Sequence, residues 1–302
     1  MQAIPTRRRD GGNSPLATPW GIDSEYGVLR DVLLGPIEYF EWRETSAISR
    51  RTFRLGKHFD PAAARVQYQE MVDAYRQAGV TIHTLDPDPR LPYQLYARDS
   101  SVMTPWGGII TQMYSPWRRG EWAAALDFYL ANDIPLFDVV TAGSLEGGDF
   151  VVVEPGLVVC GISGERTSEE GLAQVRGWIE AEGWEFVEYR FDPFYLHIDC
   201  QFALLAERLA AVCTAALEPE FVDWLKGRGF ELVDIGHRQV LELGLNVVAL
   251  GNDRVLMPSG NDDLAAQCRA HGLEVLDPDI SMITPAGGGV HCICQPLRRD
   301  PA

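Results

Sequence analysis

The chain has 302 residues, of which 46% are hydrophobic, 10% aromatic and 23% charged, which is ample material for a packed core and excludes a disordered chain. Lys and Arg number 26 against 43 Asp and Glu, a formal charge of −17; a field of that sign repels phosphate backbones and anionic membranes, so neither nucleic acid nor a membrane is expected as a partner. No apolar run is long enough to span a bilayer, the most apolar stretch, Phe202 to Leu217, being broken by Glu207 and Arg208.

In chain order, residues 1–22 read as a flexible arm: Arg7, Arg8 and Arg9 lead into Asp10-Gly11-Gly12-Asn13 and not into the apolar core of a secretory signal. Residues 23–302 read as one domain. The six cysteines (160, 200, 213, 268, 292 and 294) lack the dense spacing of a disulfide scaffold, which points to a reduced, cytoplasmic compartment. Cys160, Cys200, Cys213 and Cys268 read as core.

Repetition organises the rest. A first unit, Glu25 to Asp88, opens with VLRDVLLG and is one strand short. Asp99, Asp149, Asp199 and Asn246 then follow at intervals of 50, 50 and 47 residues, each opening an apolar run that predicts a strand. A turn and a second apolar run complete a hairpin in each unit: Pro105 to Gly108, Glu154 to Gly156, Ala206 to Arg208, and Asn252-Asp253. A helical segment comes next, such as Ser168 to Glu182 or Pro219 to Lys226. Gly79, Asn132, Gly183, Gly229 and Gly272 supply the left-handed stops. Each stop leads into a short strand: VTIHTLD, IPLFDVV, WEFVEYR, FELVDIG and LEVLDPD. The last apolar run, Val290 to Leu297, is free to complete the first unit. The expected fold class is therefore α/β, five ββαβ units closed into a pseudo-fivefold ring without a free sheet edge; an open sheet of ordinary α/β repeats is the alternative.

No phosphate-binding loop, dinucleotide fingerprint, nucleophile elbow or zinc helix is present, so no cofactor is expected. What remains is a set of polar residues at matching strand ends: Arg98-Asp99, Glu146-Gly147-Gly148-Asp149, His197-Ile198-Asp199, and Gly287-Gly288-Gly289-Val290-His291-Cys292. In a closed ring these ends converge on one axis. Carboxylates, a histidine and a cysteine together suit a guanidinium group, a planar cation whose edges pair bidentately with carboxylates. Its resonance-stabilised carbon calls for a thiolate nucleophile. Asp99 and Asp199 would orient it, His197 would protonate the leaving amine and then deprotonate the incoming nucleophile, and Glu146 would hold His197.

These residues resemble the guanidino-group-modifying enzymes of the pentein fold, the five-bladed α/β propeller of arginine deiminases, dimethylargininases and amidinotransferases. The resemblance runs from about Glu25 to Asp300. GGGVHCICQPLRRD is similar to the nucleophile segment and implies Cys292; EGGDF implies Glu146 as partner of the catalytic histidine; HID implies His197 as that histidine and Asp199 as a guanidinium ligand; ARD implies Asp99 on the other edge; GERTS implies Arg166 as reader of a substrate carboxylate. Asp149 and Asn246, at the same repeat position, are expected behind these. One departure is PYQLY before Arg98, which lacks the asparagine that deiminases carry there and speaks against free arginine.

Plainer readings accompany each. If the segments are regular strands, His197 and Asp199 share a face, His291 turns away from Cys292, and Cys294 lies on the face of Cys292. HxxC and HCxC lack zinc-site spacing, so no metal is expected. His83 reads as a strand residue and His271 as a helix-end charge. The expected function is hydrolysis of an arginine-like guanidino compound through a cysteine adduct. Transfer of the amidino group to an amine is the alternative, and a non-catalytic binding ring a lesser one. The partner expected is a small cationic guanidino substrate, with a homo-oligomer left open.

Overall fold

The computed structural model describes Thr6 and residues 19–302; most of the expected arm lies outside the described residues. The fold begins before the expected boundary at residue 23: Gly21 N–H donates to the Leu297 carbonyl at 3.0 Å, and Ile22 is buried in the core.

Five three-stranded sheets follow one another around the chain. The first holds β1 (Leu29–Leu34) and β2 (Thr81–Thr84), joined through α1 (Ala47–Arg54) and α2 (Pro61–Gln77). The second is β3 (Ser101–Thr104), β4 (Gly107–Ile110), α3 (Glu121–Ala131) and β5 (Leu136–Val139). The third is β6 (Phe150–Glu154), β7 (Leu157–Ile162), α4 (Glu169–Ala181) and β8 (Glu185–Arg190). The fourth is β9 (Phe202–Ala206), β10 (Leu209–Val212), α5 (Pro219–Gly227) and β11 (Glu231–Asp234), followed by the short α6 (His237–Val240). The fifth is β12 (Val248–Gly251), β13 (Arg254–Leu256), α7 (Asp262–Ala270) and β14 (Glu274–Leu276). A final turn of helix, α8 (Val290–Ile293), precedes β15 (Cys294–Arg299).

Within units two to five the first two strands pair antiparallel and the third runs parallel to the second. The expected ββαβ order is thus present in each. β15 lies antiparallel to β1, from Leu29 opposite Arg299 to Leu34 opposite Cys294, so the end of the chain completes the first blade. The first two strands of units two to five are short and almost wholly buried because both faces are covered: Ile109 and Phe137 of one blade share a core with Val152 and Val158 of the next.

Local chemistry sets the helix ends. Ser168 caps α4, its hydroxyl accepting from Gly171 N–H, with Glu169 and Glu170 in the first turn, where the helix dipole favours negative charge. Gly79, Gly183, Gly229 and Gly272 all take positive φ, as expected. In the second unit the left-handed residue is Asp133 (φ 52°) and not Asn132 (φ −109°), because α3 runs one residue further before it turns.

The expected inner strands form, but the residues just before them are not in strand conformation. Asp99, Asp149 and Asp199 lie in tight 3₁₀ turns, Ala97–Ser100, Gly147–Asp149 and Ile198–Cys200, the first two immediately before β3 and β6 and the third one residue before β9. Residues 290–293 are likewise helical. Side chains there follow a three- to four-residue period, and the two-residue alternation does not apply. These turns gather at one end of the ring: the turn at 97–100 touches that at 147–149, which touches that at 198–200, while α8 packs on the first.

Candidate active site

The turns frame a narrow pocket whose walls include Asp99, Arg166, His197 and Cys292. Thr45 and Ser46 close one side, Tyr93, Tyr96 and Trp117 supply an aromatic wall, and Gly287 and Gly288 bring backbone close to Cys292.

Cys292 is buried, and its Sγ accepts a hydrogen bond from Asn246 Nδ2 at 3.1 Å. Asn246 Oδ1 accepts in turn from the backbone N–H groups of His291 (2.9 Å) and Cys292 (3.3 Å), so this side chain fixes the turn that presents the thiol. A Cβ on Gly289 would come within 2.6 Å of Asn246 Oδ1; glycine is what lets the two segments meet. Asn246, expected behind the site, thus touches the sulfur directly.

His197 and Glu146 form a fully buried pair, His197 Nε2 lying 2.9 Å from Glu146 Oε2. The other oxygen of Glu146 accepts from Tyr114 N–H at 3.0 Å. His197 Nδ1 has no hydrogen-bond partner among the described residues, and Asp99 Oδ1 lies 3.8 Å from it. Gly148 makes room for the ring, since a Cβ there would stand 2.5 Å from Nδ1. Burial alone would lower the His197 pKa, but the charges of Asp99 and Asp149 and the bond to Glu146 outweigh it and raise it to about 10. Burial works to raise the Glu146 pKa, and His197 and Arg166 overcome it, holding the carboxyl well below its usual range. The pair is therefore imidazolium and carboxylate.

Asp99 faces the cavity with its Oδ2 bonded to Arg118 Nη1 at 2.8 Å. Arg118, buried, also makes a fork with Glu121 (2.9 and 2.8 Å) and lies 4.0 Å from Glu146. Sequence reasoning missed it; it follows no repeat spacing, and only its place three residues before Glu121 at a helix start hinted at a pair. Arg166 lines the cavity as expected, 3.5 Å from Glu146 Oε2 and donating to the Thr45 carbonyl at 3.3 Å. Asp99, Glu146 and His197 also group within 4.8 Å in the manner of metal-binding sets, whereas Cys200, His291, Cys292 and Cys294 do not join them.

Asp149 is buried behind His197, accepting from Thr167 Oγ1 (2.6 Å) and Ile198 N–H (3.0 Å), which ties the GERTS and HID segments together. Burial dominates its titration and raises it to about 7.

Asp199 is not among the residues lining the first pocket and lines a second one with Glu25, Phe202 and His291. Its Oδ2 accepts from or shares a proton with His291 Nδ1 at 2.8 Å and lies 3.8 Å from Cys292 Sγ. Asp99 thus lines the first pocket and Asp199 the second, each beside Cys292. His291 points to Asp199 in the second pocket while Cys292 lines the first, and Cys294, at the head of β15, sits with Tyr75 and Arg299 and not beside Cys292. Burial, then Asp199 and Asp99, push the Cys292 thiol pKa well above its ordinary value, against the pull of Gly289 backbone and Asn246. The resting sulfur is a neutral thiol.

One backbone feature directs His197. Leu196, on the cavity wall, has φ 70° and ψ −72°, and the Tyr195 carbonyl accepts from His197 N–H at 2.9 Å across it. This is the rare, strained form of γ-turn.

The N,N dimethylarginine dimethylhydrolase (eukaryotic) family profile matches residues 38–299. The chain is 28% identical over 244 residues to the N(G),N(G)-dimethylarginine dimethylaminohydrolase of Pseudomonas aeruginosa, covering 79% of this chain and 90% of that protein. It is 27% identical over 276 residues to the Bacillus subtilis protein YkgA, covering 91% and 94%. The solved amidinotransferase SxtG of Microseira wollei superposes with a TM-score of 0.76 at 16% identity, over 94% of this chain and 98% of that one; this likeness concerns the pentein fold. No helix among the described residues is long and apolar enough to cross a membrane.

Proposed function

Because the chain belongs to the N,N dimethylarginine dimethylhydrolase family, whose relatives act on guanidino groups, we propose that it hydrolyses the guanidino group of an arginine-like small molecule through a covalent adduct on Cys292. The observation that carries the reading is the buried Cys292 thiol, held by Asn246 at 3.1 Å, in one cavity wall with Asp99 and His197. Asp99 binds one edge of the guanidinium, and Arg166, with an exposed face on the cavity, takes the substrate carboxylate.

The electrostatics assign an order of steps. A cationic guanidinium beside Asp99 offsets the negative charge that opposes thiolate, so the thiol ionises to water as substrate arrives. The sulfur attacks the central carbon and a C–S bond forms. The C–N bond to the leaving amine breaks, its electron pair staying on nitrogen, which takes the proton from Nδ1 of the imidazolium His197. Water then attacks the adduct, giving one proton to Nδ1; the C–S bond breaks, the sulfur leaves as thiolate, and the O-protonated urea so formed loses its remaining proton to bulk water as the ureido product is released. Glu146 balances the imidazolium throughout.

Turnover of a panel of guanidino compounds (arginine, methylated arginines, guanidino acids and agmatine) in heavy-oxygen water tests this. Label is expected in the ureido product without an amine acceptor, and acid quench should trap an adduct on the Cys292 peptide. Cys292→Ser should lose turnover by several decades, since a hydroxyl is a far weaker nucleophile at neutral pH. Turnover that requires an amine and incorporates no label would make the protein an amidinotransferase. Full activity in the serine variant would remove Cys292 from the reaction.

A further inference from the structure

His291 and Asp199 line a second, small pocket with Glu25, and the hydrolysis above uses neither. One atom connects them to the chemistry. Asp199 Oδ2 is both the oxygen 2.8 Å from His291 Nδ1 and the oxygen 3.8 Å from Cys292 Sγ. Asp199 is buried to 2% exposure and ionised: burial works to raise its pKa, but His291, His197 and Arg98 hold it below the usual range. An ionised carboxylate at that distance from sulfur opposes a second negative charge. Its effect depends on what else the same oxygen is bonded to.

We propose that His291 is a positioning residue for the nucleophile: by binding Asp199 Oδ2 from the second pocket, it withdraws the carboxylate's charge from Cys292 and lets the thiolate form. The groups facing His291 are few. Asp199 comes from the turn before β9, and Glu25 from the chain before β1 lies in the same second pocket. Glu25 is itself held by Arg98 at 2.6 Å and by Arg299 at 4.0 Å. Asn246 takes only the His291 backbone N–H. With Glu25 occupied by two arginines, Asp199 is the carboxylate that the imidazole bonds. His291 reaches the sulfur only through Asp199 and needs no contact with substrate.

The inference rests on Cys292 as nucleophile for its effect on turnover, but the ionisation of the thiol can be read without any substrate. The measurement is the rate of Cys292 carboxamidomethylation by iodoacetamide against pH, followed by peptide mass spectrometry on the full chain. His291→Ala should move the profile at least one pH unit upward, a tenfold loss of rate at neutral pH. Asp199→Asn alone should move it downward. The double variant should return to the Asp199→Asn profile, because a neutral amide leaves nothing for His291 to shield. If the alanine variant does not fold, His291→Met, which fills the space without a hydrogen-bond donor, carries the same comparison. In the folded single variant kcat should fall about tenfold, with KM within threefold of wild type. A wild-type alkylation profile in the His291 variant, or a double variant no more reactive than the His291 single, overturns the inference. Failure of the functional reading looks different: Cys292→Ser would stay active while the alkylation profiles still shifted as stated.

Discussion

At the scale of single residues, the site is organised around what touches the Cys292 sulfur: an amide nitrogen at 3.1 Å on one side and a carboxylate oxygen at 3.8 Å on another. The first favours thiolate and the second opposes it. Asn246 also satisfies two backbone N–H groups through its oxygen, so replacing it with an apolar residue would strand buried donors at about 1–3 kcal/mol each. Asn246→Asp separates the two roles. The acceptor oxygen is kept, and a charged oxygen replaces the donor beside sulfur. The variant should fold, with an unchanged far-UV spectrum, yet lose at least tenfold in kcat, and iodoacetamide should reach Cys292 only at higher pH than in wild type. An unchanged alkylation profile would mean that the amide donor does not tune the thiol.

Among the elements, the tight turns that precede the inner strands matter more to function than the strands themselves. They set the direction of Asp99, Asp149, His197 and Asp199, and the strained γ-turn at Leu196 completes the set. A leucine at φ 70° costs on the order of 1–3 kcal/mol. The neighbouring bonds hold it there: Leu196 N–H to the Pro193 carbonyl at 3.2 Å, His197 N–H to that of Tyr195, and Ile198 N–H to Asp149. Leu196→Gly and Leu196→Ala both remove the side chain, and only glycine relieves the backbone. The glycine variant should therefore be more stable to urea by about 1 kcal/mol than the alanine variant, while its kcat is the lower of the two because His197 is less firmly aimed. The opposite order of stability would show that the turn stores no strain.

For the whole molecule, the buried ionisable groups make stability depend on pH in a direction that can be worked out. The folded pKa of His197 is raised from 6.5 to about 10. Its contribution is full below about pH 6.5 and is lost as pH rises through 10. Burial raises Asp149 to about 7 and, with partial relief from Arg118, Glu121 to about 7. Both bind their protons more tightly when folded, so each loses stability as pH climbs from about 4 to 7. Glu146 works oppositely: its lowered pKa stabilises the fold above about pH 4.5 and that stability is lost on acidification. The net charge of −17 adds self-repulsion on the alkaline side. The urea midpoint should be highest near pH 5 and fall by pH 10, with no group contributing more than about 1.4 kcal/mol per pH unit. A midpoint that is flat or rises over that interval would mean that these groups are not held in the stated protonation states.

The amino-acid order by itself determined the repeating framework, because periods of apolar residues, glycine stops and turn residues act over a few positions and recur at intervals of 47 to 50 residues. Ser168 capping α4 and Gly183 closing the turn beyond it are local events, visible without the fold. The residues that meet in the site were legible for the same reason, since equal positions in equal units converge once the ring closes through β15 on β1. What each of those side chains faces was decided only by tertiary structure. Alternation placed His197 and Asp199 on one face, but a 3₁₀ turn sends His197 to Glu146 and Asp199 to His291, 92 residues away in sequence. Arg118 was invisible because its value lies in being buried among Asp99, Glu121 and Glu146, and burial among charges from separate blades has no signature along the chain. The titration of Cys292 and His197 is likewise a sum over groups that only closure of the ring brings within reach.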